Sequence, residues 1–224
     1  MNADSPLATH ALFYLGPAPI SSAVVTTWGI MAFLTLVCAY GMRRMSIDAG
    51  PLQTVLEIVV ETIEGQIRGV VNRDPWPYLP LLGTLFLYLV AANLLNIIPG
   101  LSPPTAHIET PAALAAIVFV SVHFFGIKAH GLGTYLKRYI RPSAFMLPLN
   151  VLSEITRTFS LMVRLFGNIM SHELVIGVVV LLAGLLVPVP FMLLGLLIGL
   201  IQAFIFTILA TVFIGAAIGA VEAG

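Results

Sequence analysis

The sequence predicts an all-α polytopic membrane protein: about five membrane-embedded helices and one amphipathic surface helix, with the last two helices forming a long, strongly tilted hairpin. Three observations predict it. The 224 residues are 59% hydrophobic and only 9% charged, with mean hydropathy +1.04, which is more apolar surface than one soluble core can hide. Uncharged runs about twenty residues long recur, each roughly 30 Å as a helix and so matched to the hydrocarbon core of a bilayer. Basic residues gather in two segments between those runs. Residues 1–224 are read as a single membrane domain.

Residues 1–20 form an outer N-terminal segment without a basic start, and Gly16, Pro17 and Pro19 interrupt it, so no cleaved signal is expected. Residues 21–40 are uncharged up to Arg43 and Arg44 and make the first crossing. Residues 50–73 differ. There Leu56, Val59, Val60, Ile63, Ile67, Val70 and Val71 recur at three- and four-residue intervals among Glu57, Glu61, Glu64 and Arg68, the pattern of an amphipathic helix on the membrane or against the bundle. Residues 79–98 make the second crossing, and Asn93 and Asn96 near its end require polar neighbours. Residues 99–111, rich in proline, read as a loop on the far side. Residues 112–127 return as a short crossing that carries His123, followed by a basic loop with Lys128, Lys137, Arg138 and Arg141.

Eight of the ten basic residues fall in two segments, Arg43 to Arg73 and Lys128 to Arg141, that an even number of crossings separates. The positive-inside rule therefore puts both in the cytoplasm and the N-terminus outside. Residues 143–187 would measure about 68 Å as one helix and residues 191–221, after Pro188 and Pro190, about 46 Å. Both exceed an upright pass. A tilted hairpin follows, unless a helix breaks near Gly167 or Gly184. Gly177, Gly184, Gly195, Gly199, Gly215 and Gly219 point to close helix packing.

Within this hairpin Arg164 is a permanently charged group far from either end of an apolar run. An arginine at mid-membrane costs roughly 2.5 to 3.5 kcal/mol on insertion scales, so it needs a partner or a polar cavity, or else must snorkel to the headgroups. On a helix, Arg157 falls within about 20° of Arg164 and Asn168 within about 40°. Glu173 is close to 180° away and about 13 Å along the axis, so it does not pair with Arg164. His172 sits between these faces, Glu154 lies one turn before Arg157, and Gln202 interrupts the return helix. Competing structural roles exist for several: a Glu154 to Arg157 ion pair at the interface, hydrogen bonding between helices by Asn168 and Gln202, a core histidine at His172. Glu173 in an apolar run reads as part of an ion path, which Glu109, His107 and His123 continue from the loop side unless solvation explains them. No metal-ligand spacing, phosphate loop, nucleophile motif or cofactor signature is present in the sequence, so no cofactor, metal or enzymatic chemistry is expected. Zero net charge gives no reason to expect nucleic acid, and the single Cys38 excludes an internal disulfide.

The run Ser160 to Glu173, centred on Arg164-Leu165-Phe166-Gly167-Asn168, resembles subunit a of the membrane sector of F-type ATP synthases. Asn93-Leu94-Leu95-Asn96-Ile97-Ile98-Pro99-Gly100 with Pro103-Pro104-Thr105 resembles the family's second crossing and loop. His130-Gly131 with Tyr135-Leu136-Lys137 resembles its cytoplasmic loop, and Gln202-Ala203-Phe204-Ile205-Phe206 its last helix. The resemblance covers most of residues 80 to 215. It implies an ion-translocating stator subunit, without catalysis of its own, in a bacterial inner (plasma) membrane. It also implies a facing ring of c subunits, b-type peripheral stalk subunits, an indirect link to the catalytic head, and surrounding lipid. By the same resemblance Arg164 opposes the ring carboxylates, Asn168, Glu173 and Gln202 belong to the outer half-channel, and Glu154 to the cytoplasmic side. Arg157 stands where the family commonly has lysine. At Gly195 the chain departs from members that carry a histidine or an acid there, and His172 beside Glu173 is the candidate substitute.

Two rival readings belong to other classes. An independent secondary transporter would show inverted repeats or broken helices around a substrate site, and the sequence has neither. A purely structural membrane subunit would not need charges on two faces of one helix. Whether the ion is H⁺, the first expectation, or Na⁺ depends on the ring carboxylates, which belong to another chain.

Overall fold

The structure, a computed structural model, describes residues 11–15, 18–43, 50–71, 74–97, 103–140, 146–184 and 187–219. The readings of residues 1–10 and of the basic residues Arg44, Arg73 and Arg141 lie outside the described residues. Seven α-helices are present among them: α1 (Ser22–Arg43), α2 (Pro51–Val70), α3 (Leu79–Leu94), α4 (Glu109–His130), α5 (Leu132–Ile140), α6 (Met146–Ala183) and α7 (Pro188–Ala217). A two-stranded antiparallel hairpin, β1 (Ala11–Leu15) and β2 (Ala18–Ser21), precedes α1. Helices α1, α4, α6 and α7 contain spans long and apolar enough to cross a bilayer, and α3 is a shorter apolar helix of 16 residues. The chain is an all-α, multi-pass membrane protein beyond that hairpin.

Local chemistry accounts for where helices begin and end. Pro51 opens α2, where its fixed φ suits a helix start and its missing N–H is not needed. Ile63, Ile67 and Val71, one turn apart, are buried at 2%, 0% and 0% exposure. On the outer side Arg68 pairs with Glu64 at 2.7 Å, an exposed pair that contributes little. Helix α4 begins at Glu109, inside the stretch read from sequence as loop. Pro111 falls in its first turn, where proline is tolerated, and the Glu109 carboxylate lies at the positive end of the helix dipole.

The basic loop expected after residue 127 is mostly helical. α4 continues to His130 and stops at Gly131, whose φ of 77° only glycine adopts freely. α5 follows, and its Tyr135 is buried against Gly126, filling the space that a side chain there would take. Helix α6 is unbroken through Gly167. Its 38 residues give about 57 Å of helix, and it ends at Ala183, four residues before the predicted end, with Gly184 following at φ 77°. α7 starts at Pro188, three residues earlier than predicted, with Pro190 still in the first turn. Proline ends one helix but readily opens the next, an asymmetry that a reading of proline as a turn signal overlooks.

The chain divides into two compact units. The first takes residues 1–45, 87–111 and 165–203. In it α1 packs on β2 and on the 3-10 turn Pro104–Ala106, and Tyr88, Leu89, Ala92, Leu165, Ile169 and Ala203 are buried. The second takes residues 46–86, 112–164 and 204–224. Its buried side chains include Ile67, Leu82, Val118, Leu161, Phe206 and Ile214, and Tyr78 meets Phe125 edge-on at 4.9 Å. Leu181 and Leu182 of α6 are more than 80% exposed, as suits side chains that face lipid or another chain.

Candidate ion-translocation site

Helix α6 is built inside out. Leu161, Leu165 and Ile169, four residues apart, are buried, while Ser153, Thr156, Arg157, Ser160 and Arg164 are exposed. A helix packed by one chain and surrounded by lipid would turn its polar stripe inward, because hydrocarbon satisfies no donor. Here the polar stripe stays exposed, bordered on one side by α7.

In the second unit that stripe lines a cavity of about 520 Å³ together with Leu209 and Phe213 of α7. The Arg157 guanidinium lies 5.1 Å from the centre of the Phe213 ring, a cation–π contact. Arg157 thus has an aromatic seat on α7. Arg164 lines the same cavity, and among the described residues no acid pairs with it. The two guanidiniums are seven residues apart, roughly 10.5 Å of helix rise. A space of this volume with guanidiniums and hydroxyls in its lining admits water, and its fixed positive charge attracts an anion. His123 belongs to this unit: its Nδ1 is 2.8 Å from the Phe119 carbonyl one turn back, and its ring contacts Phe119 and Tyr135.

The first unit holds Asn168, His172, Glu173, Gln202, His107 and Glu109. Glu109 accepts a hydrogen bond from the Ser21 hydroxyl at 2.9 Å, and the hydroxyls of Thr27 and Tyr88 are 3.1 Å apart. Asn93 donates from Nδ2 to the Gly199 carbonyl at 2.8 Å, fully inside the protein. His172 lies across Gly195. Three side-chain atoms of this unit, Thr105 Oγ1, His172 Nε2 and Gln202 Nε2, are buried without a hydrogen-bond partner. Buried polar atoms are nearly always paired, so each of the three leaves room for a partner from outside the chain. Asn168 and Glu173 are partly exposed on α6.

Sequence reasoning missed the hydroxyls of Ser153, Thr156 and Ser160, the aromatic seat at Phe213, the burial of Thr105, and which group satisfies Asn93. The hydroxyls were within reach, since they repeat at the three- and four-residue spacing that aligned Arg157 with Arg164. Phe213, Thr105 and the Asn93 acceptor depend on packing between distant segments.

A family profile described as ATP synthase A chain matches residues 24–215. Subunit a 2 of the ATP synthase of Bradyrhizobium sp. (strain BTAi1) is 59% identical over 221 residues, covering 99% of each chain. A second ATP synthase subunit a 2, from Pelobacter propionicus, is 47% identical over 96% of this chain and 94% of its own. The subunit a of Albidiferax ferrireducens is 48% identical over 88% of this chain and 87% of its own. With a matching profile over most of its length and relatives of this identity end to end, the chain belongs to the ATP synthase A chain family, the non-catalytic membrane subunit a of F-type ATP synthases.

Proposed function

We propose that this chain is the ion-translocating stator of a rotary ATP synthase in a bacterial inner (plasma) membrane, and that it carries H⁺ through two offset half-channels to and from the carboxylates of a c-subunit ring. The observation that carries the reading is the exposed polar face of α6, with Arg164 on it and no acid of the described residues paired to it. A permanent cation at membrane depth needs a counter-charge, and another chain must supply it. The cavity around Arg157 and Arg164, with Glu154 nearby on α6, forms the cytoplasmic half-channel. Asn168, His172, Glu173 and Gln202 form the outer one, with His107 and Glu109 toward its mouth. His123, tied to its own helix, supports the packing of α4 and α5. A histidine on the path with an uncommitted ring nitrogen favours H⁺ over Na⁺, because imidazole relays protons.

Arginine keeps its proton in proteins, so Arg164 acts as a fixed charge and not as a relay. A cation about 4 Å from a carboxylate is worth roughly 4 kcal/mol at an effective dielectric of 20. That equals about three pKa units. A ring acid arriving at Arg164 releases its proton to one half-channel and regains one from the other before it faces lipid, where desolvation favours the neutral form. Because the half-channels do not join, the ion has to ride the ring. The N-terminus lies outside and the C-terminus in the cytoplasm, and b-type stalk subunits link this stator to the catalytic head.

Arg164→Ala in the assembled complex tests the reading. Coupled synthesis and ATP-driven pumping are expected to vanish while assembly persists, since removing a charge from the membrane relieves a burial cost. Arg164→Lys rescues poorly, because a compact ammonium lacks the planar fork and loses its proton when buried. Proteoliposomes of Arg164→Ala that pump at the unmutated rate would refute the proposal.

A further inference from the structure

Helix α4 keeps one apolar stripe uncovered. Ile117, Val120 and Phe124, at three- and four-residue spacing, are 46%, 64% and 59% exposed, and one turn further on the same stripe ends at Lys128, also exposed. From Ile117 to Lys128 the helix rises about 16 Å, close to half the thickness of a bilayer's hydrocarbon core. The stripe therefore has the length of one lipid leaflet, with a cation where the headgroups begin. At that level the chain turns. Gly131, at φ 77°, ends α4, and the ring of Tyr135 reaches back to Gly126, about 6 Å short of the helix end at His130. Helix α5 thus lies across the end of α4 and does not lead away from the membrane. Its Tyr135 is buried at 5% exposure, but Leu132, three residues earlier on the same side of the helix, is 60% exposed. Lys137 is exposed as well. Between Glu109 and Glu154 the sequence holds Lys128, Lys137, Arg138 and Arg141 and not one acid, so these charges have no counter-charge in their own stretch of chain.

We propose that the corner between α4 and α5 is a binding site for an anionic phospholipid. One acyl chain lies along Ile117, Val120 and Phe124, the phosphate is held at Lys128 beside the basic residues of α5, and Leu132 enters the top of the hydrocarbon. A lone lysine at the end of an apolar stripe would snorkel to any headgroup. A run of cations with no acid among them selects a negative one, because the attraction of basic residues for an anionic lipid surface grows with each residue added. The site takes no part in the ion path and stands whether or not Arg164 conducts.

A bimane fluorophore on Gly133→Cys reads the site in the assembled complex, with Cys38→Ser and the complex's other reactive thiols removed. A Cβ at 133 meets nothing within 4 Å, so the label leaves α5 in place. The complex is reconstituted in phosphatidylcholine vesicles that contain a minor fraction of lipid brominated high on its acyl chains, either phosphatidylglycerol or phosphatidylcholine. Brominated phosphatidylglycerol should quench with an apparent affinity about tenfold or more above that of brominated phosphatidylcholine. Each basic residue near an anionic surface is worth about fivefold in binding, so Lys128→Gln should lower the preference by about that factor, and Lys128→Gln with Lys137→Gln should abolish it. In 1 M salt, where the screening length is about 3 Å, the unmutated complex should lose the preference without any substitution. Three outcomes overturn the inference: equal quenching by the two lipids, a preference that outlasts 1 M salt or the loss of both lysines, and no quenching by either lipid, which would mean that a protein neighbour in the complex covers the corner.

Discussion

Gly199→Ala measures how tightly α3 is held against α7 at the polar seam. The added methyl would lie 3.0 Å from both Cβ and Cγ of Asn93, closer than carbon atoms pack, and the Asn93 Cβ is anchored to its own backbone and does not swing away. Overpacking of this kind costs about 1 to 3 kcal/mol. As α3 yields by a few tenths of an ångström, the 2.8 Å bond from Asn93 to the Gly199 carbonyl stretches, and hydrogen bonds between membrane helices contribute about 0.6 and at most about 1.7 kcal/mol. The expected loss is therefore about 2 to 4 kcal/mol. Detergent-driven unfolding of the complex in mixed micelles reads it out. In an Asn93→Gly background the obstructing atoms and the bond are gone together, so Gly199→Ala should then cost under about 0.5 kcal/mol. An equal cost in both backgrounds would refute the reasoning, because the methyl would be meeting something other than Asn93.

Glu173→Gln keeps the shape of the side chain and removes its charge, so ion-driven ATP synthesis should fall more than soluble hydrolysis by the detached catalytic head. Unaltered coupled synthesis over a wide pH range would make Glu173 structural. Phe213→Leu removes the aromatic seat beneath Arg157, a contact worth about 0.5 to 1 kcal/mol at an exposed site. Pumping should drop by no more than about fivefold, and Phe213→Tyr, which keeps the ring face, should retain it; equal losses in both would show that the contact does not hold the guanidinium. Cysteine labelling near Lys137 should succeed only from the cytoplasmic side, and labelling only from outside would reverse the proposed orientation.

Composition and periodicity determined a good part of this molecule. Chains of 59% hydrophobic residues must meet lipid, runs of fixed length must cross it, and a stripe such as Ile63, Ile67 and Val71 must be covered, because these demands act locally and along the chain. The alignment of Arg157 with Arg164 followed from helical geometry alone. Helix ends were less legible. Proline at 111, 188 and 190 opens helices here, and whether a proline breaks or begins one depends on which neighbours require an N–H. The helix at Leu132–Ile140 was hidden because its cover, Tyr135 on Gly126, is a contact between elements. The same holds for the site. The sequence marked Arg164, Asn168, His172, Glu173 and Gln202 as costly in a membrane, yet it placed no partner beside them. Only the tertiary structure set Arg157 on Phe213, Asn93 on Gly199 and His172 on Gly195, and left the polar face of α6 exposed beside α7. Those facts are decided by which surfaces of distant segments fill one another's gaps, and no single helix contains that information.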